Sequence, residues 1–219
     1  MKKINIAIDG PSGAGKSTIS DILANKLGYI HLDTGAMYRT TALKALENGI
    51  KLDDEDKVVE LIKTLDFKQT PDGKIFCNGE DISTAIRQNE ISMAASDVSK
   101  LQNVRKALVA LQQKIAEDKG YIVDGRDICE VVLPNAEVKV FMNASAEERA
   151  KRRVEQNKEK GIDANYDEIL EDIKKRDYQD SHREFSPLRQ TEDATLIDTS
   201  FMSIDEVVDA IMKLVKQKI

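Results

Sequence analysis

The residues with the clearest chemistry are Gly10-Pro11-Ser12-Gly13-Ala14-Gly15-Lys16-Ser17-Thr18, which follow an apolar run at Ile4–Ile8. The spacing G-x-x-x-x-G-K-S is that of a phosphate-binding loop, or P-loop. Its glycines let the backbone curl so that consecutive N–H groups face one anion. The N-terminus of the helix expected over Thr18 to Leu27 adds partial positive charge. Lys16 then reaches the β- and γ-phosphates of a nucleoside triphosphate, and the Ser17 hydroxyl ligates Mg²⁺. A glycine turn with an incidental lysine is the plain alternative, and the flanking strand and helix weigh against it.

The chain has ten arginines among 33 basic residues, and several fall in patterns. Arg149, Arg152 and Arg153 stand at i, i+3 and i+4, so they are expected on one helix face, where like charges repel unless an anion shares them. A lid that clamps phosphate fits that spacing better than a solvated basic face balanced by Glu147, Glu148 and Glu155. A second stripe, Ile169, Ile173, Arg176, Asp180 and Arg183, starts apolar and ends charged along a helix expected over Asp167–Phe185. Arg39 and Arg126 follow the second and third strands, while Arg87 and Arg105 look unremarkable.

These side chains need a scaffold, and five apolar runs supply its strands: Ile4–Ile8, Tyr29–Leu32, Tyr121–Val123, Val138–Met142 and Thr195–Ile197. Near-continuous runs separated by helical patterns indicate a parallel sheet covered on both faces, a doubly wound α/β fold. Ligands then gather at the carboxyl ends of the strands, where Asp9-Gly10, Asp33-Thr34, Asp124-Gly125-Arg126-Asp127 and Asp198-Thr199 stand. Two segments interrupt the pattern. Phe67 to Ser83, with Pro-Asp-Gly and Asn-Gly turns, reads as a small antiparallel insertion. Ala146 to Asn165 holds a polar helix, Glu147–Lys160, whose apolar anchors are Ala150 and Val154, so it is expected to pack weakly and move.

The remaining composition bounds the problem. A length of 219 residues fits one domain, 41% apolar content suffices for a core, and a net charge of −6 disfavours general nucleic-acid binding. Cys77 and Cys129 lack metal or redox spacing and are expected as reduced thiols. His31 is expected to be structural and His182 solvated. There is neither a signal-type segment nor a run of 18 apolar residues, so a soluble cytoplasmic protein without membrane association is expected.

Several motifs in order resemble the bacterial cytidylate kinases. They are Asp9 to Thr18, Leu32-Asp33-Thr34-Gly35-Ala36-Met37-Tyr38-Arg39, Asp124-Gly125-Arg126-Asp127, Arg176-Asp177 with Asp180-Ser181 and Arg183, and the closing Ser186-Pro187-Leu188 to Ser200. The resemblance spans nearly the whole chain. It implies a nucleoside monophosphate kinase of the P-loop NTPase class: a five-stranded parallel sheet flanked by helices, with a helical lid at about 146–165. The monophosphate-binding region would span about 35–105 and include the insertion at 67–83, all within one domain over 1–219. It also implies ATP with Mg²⁺ as donor and CMP or dCMP as acceptor; a monomer is expected.

Carried onto this sequence, the resemblance assigns Arg39, Arg126 and Arg183 to the CMP phosphate. Thr34, Arg176 and Asp180 would meet the sugar, and Ser96, Arg105 and Asp127 the cytosine. Cytosine offers an amino donor beside a ring-nitrogen acceptor, which Asp127 with Ser96 and Arg105 complement; uracil inverts both features. The chain departs from the family pattern at Thr34, where serine is common, and at Cys129-Glu130, where Gly-Thr is usual. It departs again at Lys114 and Thr191, where arginine and alanine are common. Glu130 would either weaken phosphate binding or face solvent. The expected reaction is in-line γ-phosphoryl transfer, with Lys16, Arg126, Arg149, Arg152 and Arg153 as the catalytic cations. A GTPase-like switch would need an N-K-x-D motif, which is absent; a binding protein without turnover would still bind ATP.

Overall fold

The computed structural model describes residues 2–70, 72–159 and 161–219. Pro71 of the predicted Pro-Asp-Gly turn and Lys160 of the predicted lid helix lie outside them. Five strands, β1 (Ile6–Asp9), β2 (Ile30–Asp33), β6 (Tyr121–Gly125), β7 (Val138–Asn143) and β8 (Thr195–Asp198), form a sheet in the order β2-β6-β1-β7-β8. Every pairing is parallel, and β1 sits at the centre with Asp9 opposite Gly125 on one side and Phe141 on the other. The five predicted runs are these strands, each ending one or two residues later than predicted, with β1 and β2 also starting later.

Both sheet faces are covered, which is why the strands carry continuous apolar sequence. Ile6 and Ile8 turn to one face, with Ile19 and Leu23 of α1 (Lys16–Leu27) and Val208 and Ile211 of α8 (Ile204–Lys216). Ala7, Leu32 and Val123 turn to the other, against Met37 of α2 (Thr34–Glu47), Val58 of α3 (Glu55–Ile62), Val98 of α4 (Asn89–Val98) and Leu108 of α5 (Gln102–Ile115).

The insertion is antiparallel as expected, with β3 (Phe67–Gln69), β4 (Ile75–Cys77) and β5 (Glu80–Asp81). Asn78 and Gly79 both take positive φ, 51° and 83°, as a tight hairpin turn of this hand needs. Ile75, Cys77 and Ile82 pack on Ala36 and Leu43 of α2. Gln69 ties the insertion to the main sheet, its Oε1 accepting the Asp33 N–H at 2.9 Å.

The segment expected to form a lid, 146–165, holds α6 (Ala146–Glu159), which makes a helical hairpin with α7 (Tyr166–Ser181). Asn165 caps α7 by accepting from the N–H groups of Asp167 and Glu168. The predicted helix over Asp167–Phe185 ends four residues early, at Ser181. There the Ser181 hydroxyl turns back to the carbonyls of Asp177 and Tyr178, competing with helix continuation. Arg183 therefore reaches its position from the loop after α7.

Candidate active site

The P-loop is held by backbone contacts that demand glycine. A Cβ on Gly10 would stand 2.0 Å from the Met142 carbonyl oxygen of β7. Gly15, at φ 90°, is the N-cap of α1 and offers no side chain to its first N–H groups, which stay available to an anion. Lys16 Nζ donates to the carbonyls of Gly10 at 2.7 Å and Pro11 at 2.9 Å, leaving one of its three protons to point elsewhere. Burial, aided by the Arg126 charge, pulls its pKa down to about 7 against the pull of Asp124, Asp9 and Asp180.

Ser17 Oγ donates to Asp124 Oδ2 at 3.0 Å, at the end of β6. Asp124 Oδ1 faces His31 Nε2 at 2.7 Å, and His31 Nδ1 faces Asp21 Oδ1 of α1 at 2.6 Å. Burial alone would lower the His31 pKa, but the two carboxylates raise it to about 10. A hydroxyl oxygen beside a buried carboxylate is the oxygen donor set that Mg²⁺ prefers, so Ser17 and Asp124 fit the cation that a bound triphosphate carries.

Across from the P-loop stands a cluster of arginines. Asp33 caps α2 through the Ala36 N–H at 2.8 Å and holds Arg39 at 2.8 Å. Asp180, 1% exposed, takes Arg126 Nε on Oδ2 at 2.7 Å and Arg183 on Oδ1. Burial would raise its pKa, yet the Arg126 and Arg183 charges hold it at about 2. Arg176 reaches Ser12 Oγ at 3.3 Å; burial first, then Arg126, Arg39 and Arg183, pull its pKa down to about 10 against Asp180. The Nε atoms of Arg39 and Arg176 are buried with no partner among the described residues. Buried donors are normally satisfied, so four guanidiniums around two carboxylates, with spare N–H groups, make a site for an anion.

The loop after β6 is positioned from beneath. Asp9 accepts the N–H groups of Ile128 and Cys129, each at 2.8 Å, where residues Ile128–Val132 form a π-helical turn. Burial raises the Asp9 pKa to about 6. Those two bonds fix the exit of Arg126 and Asp127 from the sheet.

In the lid, the three arginines do not share one role, and the expectation of a weakly held helix needs correction. Arg149 is buried, donating from Nε to Ala144 O at 2.9 Å and from Nη1 to Ser12 O at 3.0 Å and Asp177 Oδ1 at 2.9 Å. Its Nη2 closes a fork on Asp177 Oδ2. Arg152 binds the Thr199 carbonyl, and the Thr199 hydroxyl in turn reaches Ala14 O at 3.3 Å. Arg153 is exposed and forms no ion pair among the described residues. It stands four residues, or about 6 Å of helix rise, beyond Arg149.

The cytidylate kinase family model matches residues 6–217. The chain belongs to the cytidylate kinase family. It is 56% identical over 217 residues to a cytidylate kinase of Caldicellulosiruptor bescii, covering 98% of this chain and 96% of that protein. It is 52% identical over 220 residues to a cytidylate kinase of Bacillus subtilis, covering 99% and 98%. A crystal structure of an uncharacterized protein from Eubacterium ventriosum shares the fold, with a TM-score of 0.56 and 16% identity over 98% of this chain and 99% of that one. Membership of this kinase family makes the chain a phosphotransferase. Among the described residues no helix is long and apolar enough to cross a membrane.

The residues tied to cytosine by resemblance to the cytidylate kinases lie near one another. Arg105 of α5 pairs with Asp127, donates to Ser99 O at 3.3 Å and lies 5.6 Å over the Tyr38 ring. Ser96 of α4 is buried and its Oγ stands 3.4 Å from Gln179 Oε1 of α7. Thr34 Oγ1 donates to the Asp124 carbonyl at 2.7 Å. Asp180, expected against the sugar, also anchors Arg126 and Arg183, the arginines expected at the acceptor phosphate. Sequence reasoning missed Tyr38, whose buried hydroxyl has no partner among the described residues; its place directly before Arg39 was the available signal. It also missed Asp177 and the Asp124–His31 pair.

The family departure at Cys129-Glu130 resolves simply. Cys129 is buried, its Sγ 3.7 Å from Ala7 O and 3.8 Å from Val140 O, and Glu130 is exposed and paired with Arg189. His182 is exposed and stacks on Tyr178 at 4.0 Å between ring centroids.

Proposed function

We propose that the protein transfers the γ-phosphoryl group of Mg²⁺-bound ATP to a phosphate oxygen of CMP or dCMP, giving ADP and CDP or dCDP for pyrimidine nucleotide salvage. The observation that carries the reading is Arg126. It follows Gly125, which pairs with Asp9 directly before the P-loop, and its Nε is held by Asp180 inside the arginine cluster, where Arg176 reaches Ser12 Oγ of the P-loop at 3.3 Å. The donor's phosphates on the P-loop and the acceptor's phosphate among Arg39, Arg126 and Arg183 thus share one crevice.

The acceptor is already an anion, so the chain needs no nucleophile of its own. The task is to hold two polyanions in line, and cations do it. The P-loop N–H groups and Lys16 hold the donor. Mg²⁺, when bound, neutralises phosphate charge; Ser17 would ligate it, with Asp124 beside. Arg149 and Arg152 brace the lid against Ser12 and Thr199, excluding water from the transferring group. Arg153, exposed and without an ion pair among the described residues, would join that group on movement of α6. Arg176, Asp180 and Thr34 face the sugar, and Asp127, Ser96 and Arg105 read the base.

The donor-site and acceptor-site residues need no second copy to complete them, and the protein is proposed to act as a monomer built as one domain over 1–219. Nucleotide substrates suit a cytoplasmic enzyme. The test follows ADP release from Mg·ATP with CMP, dCMP, UMP, AMP or shikimate as acceptor. Turnover confined to CMP and dCMP is the expected result. Preference for another acceptor would keep the P-loop and overturn the base-reading roles; no turnover despite ATP binding would overturn the enzyme reading.

A further inference from the structure

We infer that His31 is a positioning residue for the metal side of the donor site, acting through Asp124 on the Ser17 hydroxyl. This rests on the reading of Ser17 as a Mg²⁺ ligand. His31 lies in the interior of β2, 7% exposed, and touches no phosphate-binding residue directly. Its two ring nitrogens face carboxylate oxygens from two different elements: Asp21 on α1 at 2.6 Å and Asp124 on β6 at 2.7 Å. Both oxygens are acceptors, so each nitrogen is placed to donate; the Gln69 side-chain nitrogen also stands 3.4 Å from Nδ1.

The consequence falls on Asp124, which is 3% exposed. Its Oδ1 is taken by His31, which leaves Oδ2 to receive the Ser17 proton at 3.0 Å. With its proton committed to Oδ2, the Ser17 oxygen keeps its lone pairs for a cation. Were Oδ1 unheld, the carboxylate could rotate about its Cβ–Cγ bond, and the hydroxyl would lose its fixed direction. Asp21 steers the ring from the other side, and because it sits on the helix that Lys16 and Ser17 begin, the three groups move as one body.

Two half-replacements of the ring separate this role from a structural one. A glutamine amide nitrogen sits roughly where imidazole Nε2 does, so His31→Gln keeps the donor to Asp124. An asparagine amide nitrogen sits roughly where Nδ1 does, so His31→Asn keeps only the donor to Asp21. The experiment is calorimetric binding of the β,γ-imido analogue of ATP, with Mg²⁺ and with chelator, plus CMP binding. The expected result is that Mg²⁺ strengthens analogue binding nearly as much in H31Q as in the unaltered chain, and about tenfold less in H31N. Metal-free analogue affinity and CMP affinity stay within about twofold in both. Equal coupling in H31N and the unaltered chain overturns the inference, as does a loss shared by metal-free analogue and CMP. Should H31N not fold, H31Q still decides: a tenfold loss of coupling there refutes the role. No Mg²⁺ effect even in the unaltered chain would instead remove the Ser17 reading, and this inference with it.

Discussion

Asp180 of α7 holds Arg126 of the β6 end through a bond of 2.7 Å from Nε to Oδ2. Its other oxygen holds Arg183. A carboxylate at the centre of an anion site looks contrary to purpose, but without it the guanidiniums would repel one another apart. One buried acid sets the spacing of two cations that arrive from different elements.

Asp180→Asn should therefore damage both fold and affinity. Removing one partner of a buried pair costs about 3 kcal/mol, which urea unfolding at neutral pH reads directly. We expect KM for CMP to rise at least about tenfold while KM for ATP changes little. The Asp180 pKa is about 2 folded against 3.8 unfolded, so its charge stabilises above 3.8 and that contribution is lost as pH falls to 2. The variant and the unaltered chain should converge there. Equal stability at neutral pH would refute the anchoring role.

Lys16→Ala removes the cation that the P-loop aims at the donor. Turnover should fall by about a hundredfold or more, with CMP binding by calorimetry unchanged. A near-normal rate would mean that the loop does not hold the transferring phosphates.

Gly10→Ala tests the P-loop's seat on the sheet. The new methyl would meet the Met142 carbonyl oxygen at 2.0 Å, and that atom is backbone, with no rotamer to relieve it. A cost of about 3 kcal/mol, the upper end for overpacking, should appear as a lowered urea midpoint. A midpoint equal to that of the unaltered chain would show that β7 yields easily.

His31 gives the pH dependence of stability a distinctive sign. Its pKa is about 10 folded against 6.5 unfolded, so its contribution is complete below pH 6.5 and is lost as pH rises to 10. Lys16, at about 7 folded against 10.5 unfolded, works oppositely and adds stability as pH rises through that window. Comparing the unaltered chain with H31N cancels Lys16. The difference in unfolding free energy between them should be largest near pH 6.5 and shrink toward pH 10. A difference that stays constant with pH would show His31 to be neutral.

Much of this was legible in sequence because it depended on local pattern. The five strands announced themselves through uninterrupted apolar runs, and the P-loop through spacing. What stayed hidden were partnerships between distant residues: Arg149 with Asp177, 28 positions apart, and Arg126 with Asp180, 54 apart. The lid helix looked loose because its sequence offered two apolar anchors, whereas a buried arginine fork fastens it. The helical spacing of Arg149 and Arg153 put them on one face but could not say that one is buried and the other exposed. Ser96 and Arg105 carried no signal beyond family likeness, since a serine and an arginine on helices are ordinary until α4, α5 and the β6 loop converge.

The chain's two cysteines, Cys77 and Cys129, are 0% and 1% exposed. Thiol-reactive dyes would find no native target in the folded protein, so no cysteine-free background has to be engineered first. Gln156→Cys on α6 and Lys57→Cys on α3, both at exposed positions, would accept a fluorophore pair directly. Energy transfer between them would follow the lid's travel relative to the monophosphate side, one molecule at a time, through each turnover.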